Sequence, residues 1–263
     1  MMMKKLKKCV ALALVSVMVM SSLCGCGGQK EASAKETKKK PVIKVGMEIA
    51  YPPFEFYEDD GKTIAGIDYD LANAIGEEIG YDMEFVPVSW DGIFAGLDKG
   101  DYDVIISAIT ITPERVKKYK FSTPYIQNYQ CIVTMAKADK KPKSIKDLKG
   151  LKVGYQEEST SDIFLTDYIE AGEVECKVNE YNKIIDSFSD LETGRLDAMV
   201  VDSTVAEQYT ADGEFEITWK QEDEPEEFGV CFPKDSEYVD IFNEALDTLK
   251  DNGELDKIIG NYF

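Results

Sequence analysis

The chain contains 28 Lys and only two Arg. A position that keeps Arg against that background suggests a use for the planar guanidinium fork, which grips a carboxylate through paired N–H donors. Arg115 closes the run Thr110-Ile111-Thr112-Pro113-Glu114-Arg115, where Thr112 suits a helix N-cap and Pro113 the first helical position, so the direction of Arg115 is fixed. A surface ion pair would account for Arg115 equally well. Arg195, in the turn Thr193-Gly194-Arg195-Leu196-Asp197, reads as structural. Ser159, Thr160 and Ser161 precede a helix at Asp162, so their hydroxyls and the free amides there either cap that helix or hold an anion. Asp202 follows the apolar run Ala198-Met199-Val200-Val201, as a receptor for an ammonium group or as a cap. Tyr51, Phe54 and Trp90 supply aromatic faces for a ligand or for packing. With Glu48, these groups complement a free α-amino acid: a fork and hydroxyls for the carboxylate, an Asp for the ammonium, aromatics and an acid for the side chain.

The elements that must position them alternate between strand and helix. Val42 to Met47, Met83 to Val88 and Val104 to Ser107 read as strands, separated by helices at Asp68 to Ile79 and Asp91 to Lys99. In the first helix Leu71, Ile75 and Ile79 recur every four residues and Gly80 closes the end. A second unit repeats the pattern: strands at Lys152 to Tyr155, Glu175 to Tyr181 and Ala198 to Val201, helices at Ser161 to Ile169, Lys183 to Thr193 and Ser203 to Tyr209. A strand at Phe228 to Phe232 and two helices broken at Asn252-Gly253 complete the chain. The reading is an α/β protein of two similar lobes with a cleft between them. Ligands in such sheets sit beyond the carboxyl ends of the strands, at Glu48 to Phe54, Ser89-Trp90, Ser107 to Thr112, Ser159 to Ser161 and Asp202.

Composition narrows the chemistry. Residues 42–263 carry 21 basic and 48 acidic groups, an excess of acid that repels phosphate backbones and argues against a nucleic-acid partner. The chain has no His, which removes imidazole catalysis and His metal sites together. Neither a cofactor nor a metal is expected.

Residues 1–25 read as a signal peptide, with four Lys ahead of the apolar run Val10 to Met20, too short to span a bilayer comfortably. Its end, Leu23-Cys24-Gly25-Cys26, resembles a bacterial lipobox that leaves Cys26 lipidated at the new N-terminus. Residues 26–41 are Lys-rich and lack large hydrophobes, as a tether does. Beyond them Cys131, Cys176 and Cys231 cannot all pair with one another; Cys131 and Cys231 sit in apolar runs and read as small buried side chains.

The mature chain closely resembles family 3 of the bacterial solute-binding proteins, those serving polar amino-acid ABC importers. The likeness is carried by Val45-Gly46, Tyr51-Pro52-Pro53-Phe54-Glu55-Phe56, Gly66-Ile67-Asp68-Tyr69-Asp70-Leu71, Ser89-Trp90-Asp91-Gly92 and Asp103-Val104-Ile105-Ile106-Ser107 with Thr112-Pro113-Glu114-Arg115. Phe121-Ser122-Thr123-Pro124-Tyr125, Asp147-Leu148-Lys149-Gly150 and Gly194-Arg195-Leu196-Asp197-Ala198 continue it. The resemblance implies a periplasmic-binding-protein-like fold with a two-strand hinge, the chain crossing near Gln127 to Tyr129 and Pro225 to Glu227. Residues 42–127 with 227–263 would form one lobe and 128–226 the other. It implies that Arg115, Thr110 and Thr160 hold the ligand carboxylate, that Asp202 binds the ammonium beside the Ser107 and Ala108 backbone, and that Tyr51 and Trp90 flank the side chain. One departure stands out: Glu158 occupies the place where the family usually has Gly before its paired hydroxyls.

The expected function is capture of a free polar amino acid by a monomeric protein, lipid-anchored on the outer face of the cell membrane, and delivery to ABC permease subunits. The alternative is a cyclohexadienyl-dehydratase-like enzyme, for which Glu48, Glu158 or Asp202 would have to act. Glu48, taken as ionised at neutral pH, suits a cationic side chain such as arginine or lysine; glutamine and cystine are the other candidates.

Overall fold

In the computed structural model, residues 39–263 are described; the predicted signal peptide, the lipidation site Cys26 and the tether as far as residue 38 lie outside them. The chain begins with β1 (Val42–Met47), the short β2 (Phe56–Tyr57) and β3 (Ile64–Ala65), α1 (Ile67–Ile79) and β4 (Asp82–Pro87). A 3-10 turn at Trp90–Gly92 leads into α2 (Ile93–Lys99), followed by β5 (Val104–Ile105), α3 (Pro113–Lys118) and β6 (Lys120–Phe121). Next come β7 (Ile126–Asn128), β8 (Gln130–Met135), β9 (Lys152–Gln156), α4 (Thr160–Glu170), β10 (Lys177–Tyr181), α5 (Ile184–Glu192), β11 (Ala198–Asp202) and α6 (Ser203–Thr210). The chain ends with β12 (Phe215–Lys220), β13 (Glu226–Phe228), β14 (Cys231–Phe232), α7 (Val239–Asp251) and α8 (Glu254–Gly260).

Two five-stranded sheets, each at the heart of one lobe, share one plan. The first has the order β4-β1-β5-β14-β6 and the second β10-β9-β11-β8-β12. In each, three strands run parallel with the earliest in the middle, and the fourth strand runs antiparallel to its inner neighbour. Parallel neighbours need crossover connections, which α1 and α2 supply in the first sheet and α4 and α5 in the second. Every crossover returns the chain to the same edge, so the carboxyl ends of β1, β4 and β5 gather in one place, and those of β9 and β11 in another. Between the sheets in sequence lie β7 and β13, which pair antiparallel with Asn128 opposite Glu226.

Apolar periodicity accounts for the elements. β1 buries Ile43 and Val45 while Val42 and Lys44 face out, and α1 buries Leu71, Ala72 and Ile75 and stops at Gly80 in the left-handed region. On the other side of the first sheet Tyr102 lies against Gly46, where a Cβ would come within 2.4 Å of its ring.

The run Phe228 to Phe232, expected as one strand, is two strands in different sheets. β13 pairs with β7, whereas Cys231 of β14 pairs with β5 and β6. The break falls at Gly229, whose N–H donates to the Ile109 carbonyl and where a Cβ would lie 2.8 Å from the Ile111 side chain. β12 is a strand beyond those expected from the sequence, and Phe215-Glu216-Ile217-Thr218-Trp219-Lys220 alternates apolar and polar residues as a strand does. A register shift between Ile217 and Trp219 turns Thr218 inward. Among the described residues Cys131, Cys176 and Cys231 are free thiols, and no helix is long and apolar enough to cross a membrane.

Candidate functional site

Past the carboxyl ends of the parallel strands lies a cavity lined by residues of both sheets. β1 leads into Glu48 and Tyr51, β4 into Trp90, and β5 into Ser107, Ala108 and Thr110, with Arg115 on α3. The second sheet contributes Thr160 at the start of α4 and Asp202 at the end of β11. All nine residues expected at a site line this one cavity, joined by Gln156 and Ser159.

Arg115 is aimed by the predicted cap: the Thr112 hydroxyl accepts from the Arg115 backbone N–H, with Pro113 at the first turn. Its Nη1 donates to the Thr110 carbonyl at 3.0 Å, and the guanidinium lies 5.6 Å from the Trp90 ring centroid and 5.1 Å from that of Phe94. Those faces hold a cation without consuming its N–H donors. Burial lowers the Arg115 pKa, an effect opposed by negative neighbours including Glu226 and Asp202; a guanidinium remains charged regardless. Among the described residues it forms no salt bridge, in contrast to Arg195, which pairs with Asp190 at 2.5 Å on the surface. Trp90 therefore stands at the Arg115 end of the cavity, and Phe94 shares its task without having been singled out in the sequence.

Asp202 is only 5 % exposed. Its side chain caps nothing, although α6 starts at the next residue. It accepts instead from Tyr51 Oη at 2.5 Å, Asn128 Nδ2 at 2.7 Å and Gln130 Nε2 at 2.8 Å. Burial, reinforced by Glu226, pushes its pKa up to about 7 against those three donors. Ser159, by contrast, does cap α4, accepting from the Asp162 N–H, and Thr160 forms the first residue of that helix. The Thr110 and Thr160 hydroxyls approach each other at 3.4 Å, one from each sheet's edge.

Glu48 is 3 % exposed. One carboxylate oxygen accepts from Gln156 Nε2 at 2.8 Å, and the other is buried with no partner. Burial raises its pKa to about 7, which corrects the expectation of a carboxylate fully ionised at neutral pH. Phe54, grouped with Tyr51 and Trp90 in the sequence, is fully buried and packs edge-on against Phe228 at 5.3 Å. It belongs to the core.

Ser107 and Ala108 are held from behind by two acids. Ser107 Oγ accepts from the Glu48 N–H and donates to Glu55 Oε1 at 2.6 Å, while the Ala108 N–H donates to Asp68 Oδ2 at 2.6 Å, helped by Tyr125 Oη at 3.0 Å. Both acids are fully buried. Burial and the adjoining Asp68 push Glu55 well above the usual carboxylate range, and burial raises Asp68 to about 7. Ala108 is held at φ 47°, a left-handed conformation uncommon for a residue with a Cβ. Glu158 also has positive φ, at 56°, so the backbone shape expected of Gly persists without it. Its N–H donates to Asp162 Oδ2.

The cavity thus sets an unpaired guanidinium and two hydroxyls at one end, a buried carboxylate beside them, and a second buried acid with a vacant acceptor further along. Residues 43–263 match the bacterial extracellular solute-binding proteins, family 3. The chain belongs to this family. Among solute-binding proteins of family 3, the arginine-binding extracellular protein ArtP of Bacillus subtilis (strain 168) is 33% identical over 260 residues, which cover 96% of each chain. The L-cystine-binding protein TcyJ of Escherichia coli (strain K12) is 30% identical over 257 residues, 95% of this chain and 94% of that one. Of solved structures, an ancestral arginine-binding protein bound to arginine superposes with a TM-score of 0.79 at 36% identity, covering 86% of this chain and 100% of the other. Family 3 proteins are extracytoplasmic, and this member has the two-lobe α/β fold of an amino-acid-binding protein of an ABC importer.

Proposed function

We propose that this solute-binding protein captures a free amino acid with a cationic side chain, arginine or lysine, and delivers it to the permease subunits of an ABC importer. The observation that carries the reading is the unpaired guanidinium of Arg115 and the buried carboxylate of Asp202 on one cavity, with the vacant acceptor of Glu48 beyond them. In this reading Arg115, Thr110 and Thr160 hold the carboxylate, Asp202 receives the α-ammonium beside Ser107 and Ala108, Tyr51 and Trp90 flank the ligand, and Glu48 pairs with the side-chain cation. Residues 42–127 with 227–263 form one lobe and 128–226 the other. Each contributes contacts, so the ligand binds the closed arrangement better than the open one. The protein works as a monomer, tethered through a lipid on Cys26 to the outer face of the cell membrane.

A thermal-shift screen of the free amino acids, followed by calorimetry, tests the reading. Arginine or lysine is expected to give the largest rise in Tm. A preference for glutamine, cystine or a small neutral amino acid would refute the specificity while leaving amino-acid capture in place; no response to any amino acid would refute both.

A further inference from the structure

Glu226, on β13 between the two sheets, reaches into the same donor set. Its Oε2 accepts from Thr160 Oγ1 at 3.0 Å and from Thr110 Oγ1 at 3.4 Å, the hydroxyls on opposite sides of the cleft. Gln130 Nε2 donates to both of its oxygens at 3.1 Å, and Asn128 Nδ2 to Oε2 at 3.2 Å. Each threonine hydroxyl has a single hydrogen to give. A ligand carboxylate that bridges Arg115, Thr110 and Thr160 must therefore take hydrogens that Glu226 now receives, and must do so beside another negative group.

We propose that Glu226 is a built-in competitor of the ligand carboxylate, taking the Thr110 and Thr160 hydroxyl hydrogens and so lowering affinity for carboxylate ligands. The inference rests on the amino-acid reading of the site. The exchange is graded, because Glu226 keeps its Asn128 and Gln130 amides after losing the hydroxyls. A resident acceptor of this kind spares the donors from standing empty and keeps the ligand releasable.

The decisive comparison is calorimetric, between an amino acid and its carboxamide, in wild type and Glu226→Gln. The ratio of the two affinities isolates the carboxylate contact, because any change in the open-to-closed balance acts on both ligands and cancels. With arginine and argininamide, Glu226→Gln is expected to raise the ratio by about 2- to 10-fold, the worth of one net hydrogen bond. Glu226→Asp, whose shorter arm withdraws from Thr160, should raise it by less. An unchanged ratio overturns the inference, and so does a fall, which would mean that Glu226 favours the ligand carboxylate rather than competing with it. Failure of wild type to bind any free amino acid would overturn the inference together with the function; binding with an unchanged ratio would overturn the inference alone.

Discussion

Tyr51 Oη donates to Asp202 Oδ2 at 2.5 Å, joining the loop after the first strand of one sheet to the last residue of a strand in the other, 151 positions apart. The acceptor is a buried carboxylate that burial disfavours in its charged form, so the donor both steadies that charge and ties the two sides of the cleft. Tyr51→Phe removes the donor without changing the ring. It should destabilise the ligand-free protein by about 1.5–3 kcal/mol, the range for hydrogen bonds to charged groups, and urea unfolding measures this. A loss below about 0.5 kcal/mol would show the contact to be incidental.

Arg115→Lys should weaken amino-acid binding by about 10- to 100-fold although the charge is kept. A Lys ammonium cannot supply the paired fork, and a charge-assisted contact is worth about 1.5–3 kcal/mol. Calorimetry with the best ligand from the screen decides it; unchanged affinity would place Arg115 outside the binding site.

Glu48 and Asp202 both titrate near pH 7 in the ligand-free site because burial penalises their charged forms. A bound cation favours those forms, so binding releases protons and affinity should rise as pH increases from about 6 to 8. Calorimetry in buffers of different ionisation enthalpy counts the protons. Glu48→Gln should remove the part of the release that is specific to arginine and lysine and leave the part due to Asp202. Binding without proton release would contradict the placement of both acids against ligand cations.

Glu158 holds φ at 56°, a conformation that costs an L-residue roughly 1–2 kcal/mol and glycine almost nothing. Part of that gain is lost to the greater freedom of an unfolded glycine. Glu158→Gly should therefore stabilise the protein by about 0.5–1 kcal/mol, seen as a higher urea midpoint at constant slope. A destabilised variant would mean that the Glu158 side chain has a role of its own at the cleft rim.

Cys26 should carry a lipid at the mature N-terminus, as Leu23-Cys24-Gly25-Cys26 suggests. Mass spectrometry of the N-terminal peptide from the exporting cell reads this directly. An unmodified peptide that still contains Met1 to Gly25 would refute it.

Much of this protein is legible in its sequence because local patterns carry it. Val42–Met47 forms over the residues where alternation places it, and α1 begins one residue ahead of its expected start. Parallel strands joined by crossovers must end at a common edge, which directs attention to the segments that hold Glu48, Trp90, Ser107 and Asp202; the scarcity of Arg marks Arg115, and the parts given to Ser107, Ala108, Thr110 and Thr160 come from the family resemblance. Three matters depended on tertiary structure. Gln156 is an ordinary polar residue closing β9 until the other sheet brings Glu48 to its amide. Glu226 lies in an acidic run, Glu222 to Glu227, that gives no hint which carboxylate turns inward; pairing of β13 with β7 selects it. The charge states of Glu48 and Asp202 come from burial between sheets far apart in the chain, and desolvation is a property of the surroundings rather than of the residue. Local periodicity determines which residues can reach the cleft; the docking of one sheet's edge against the other decides which of them meet.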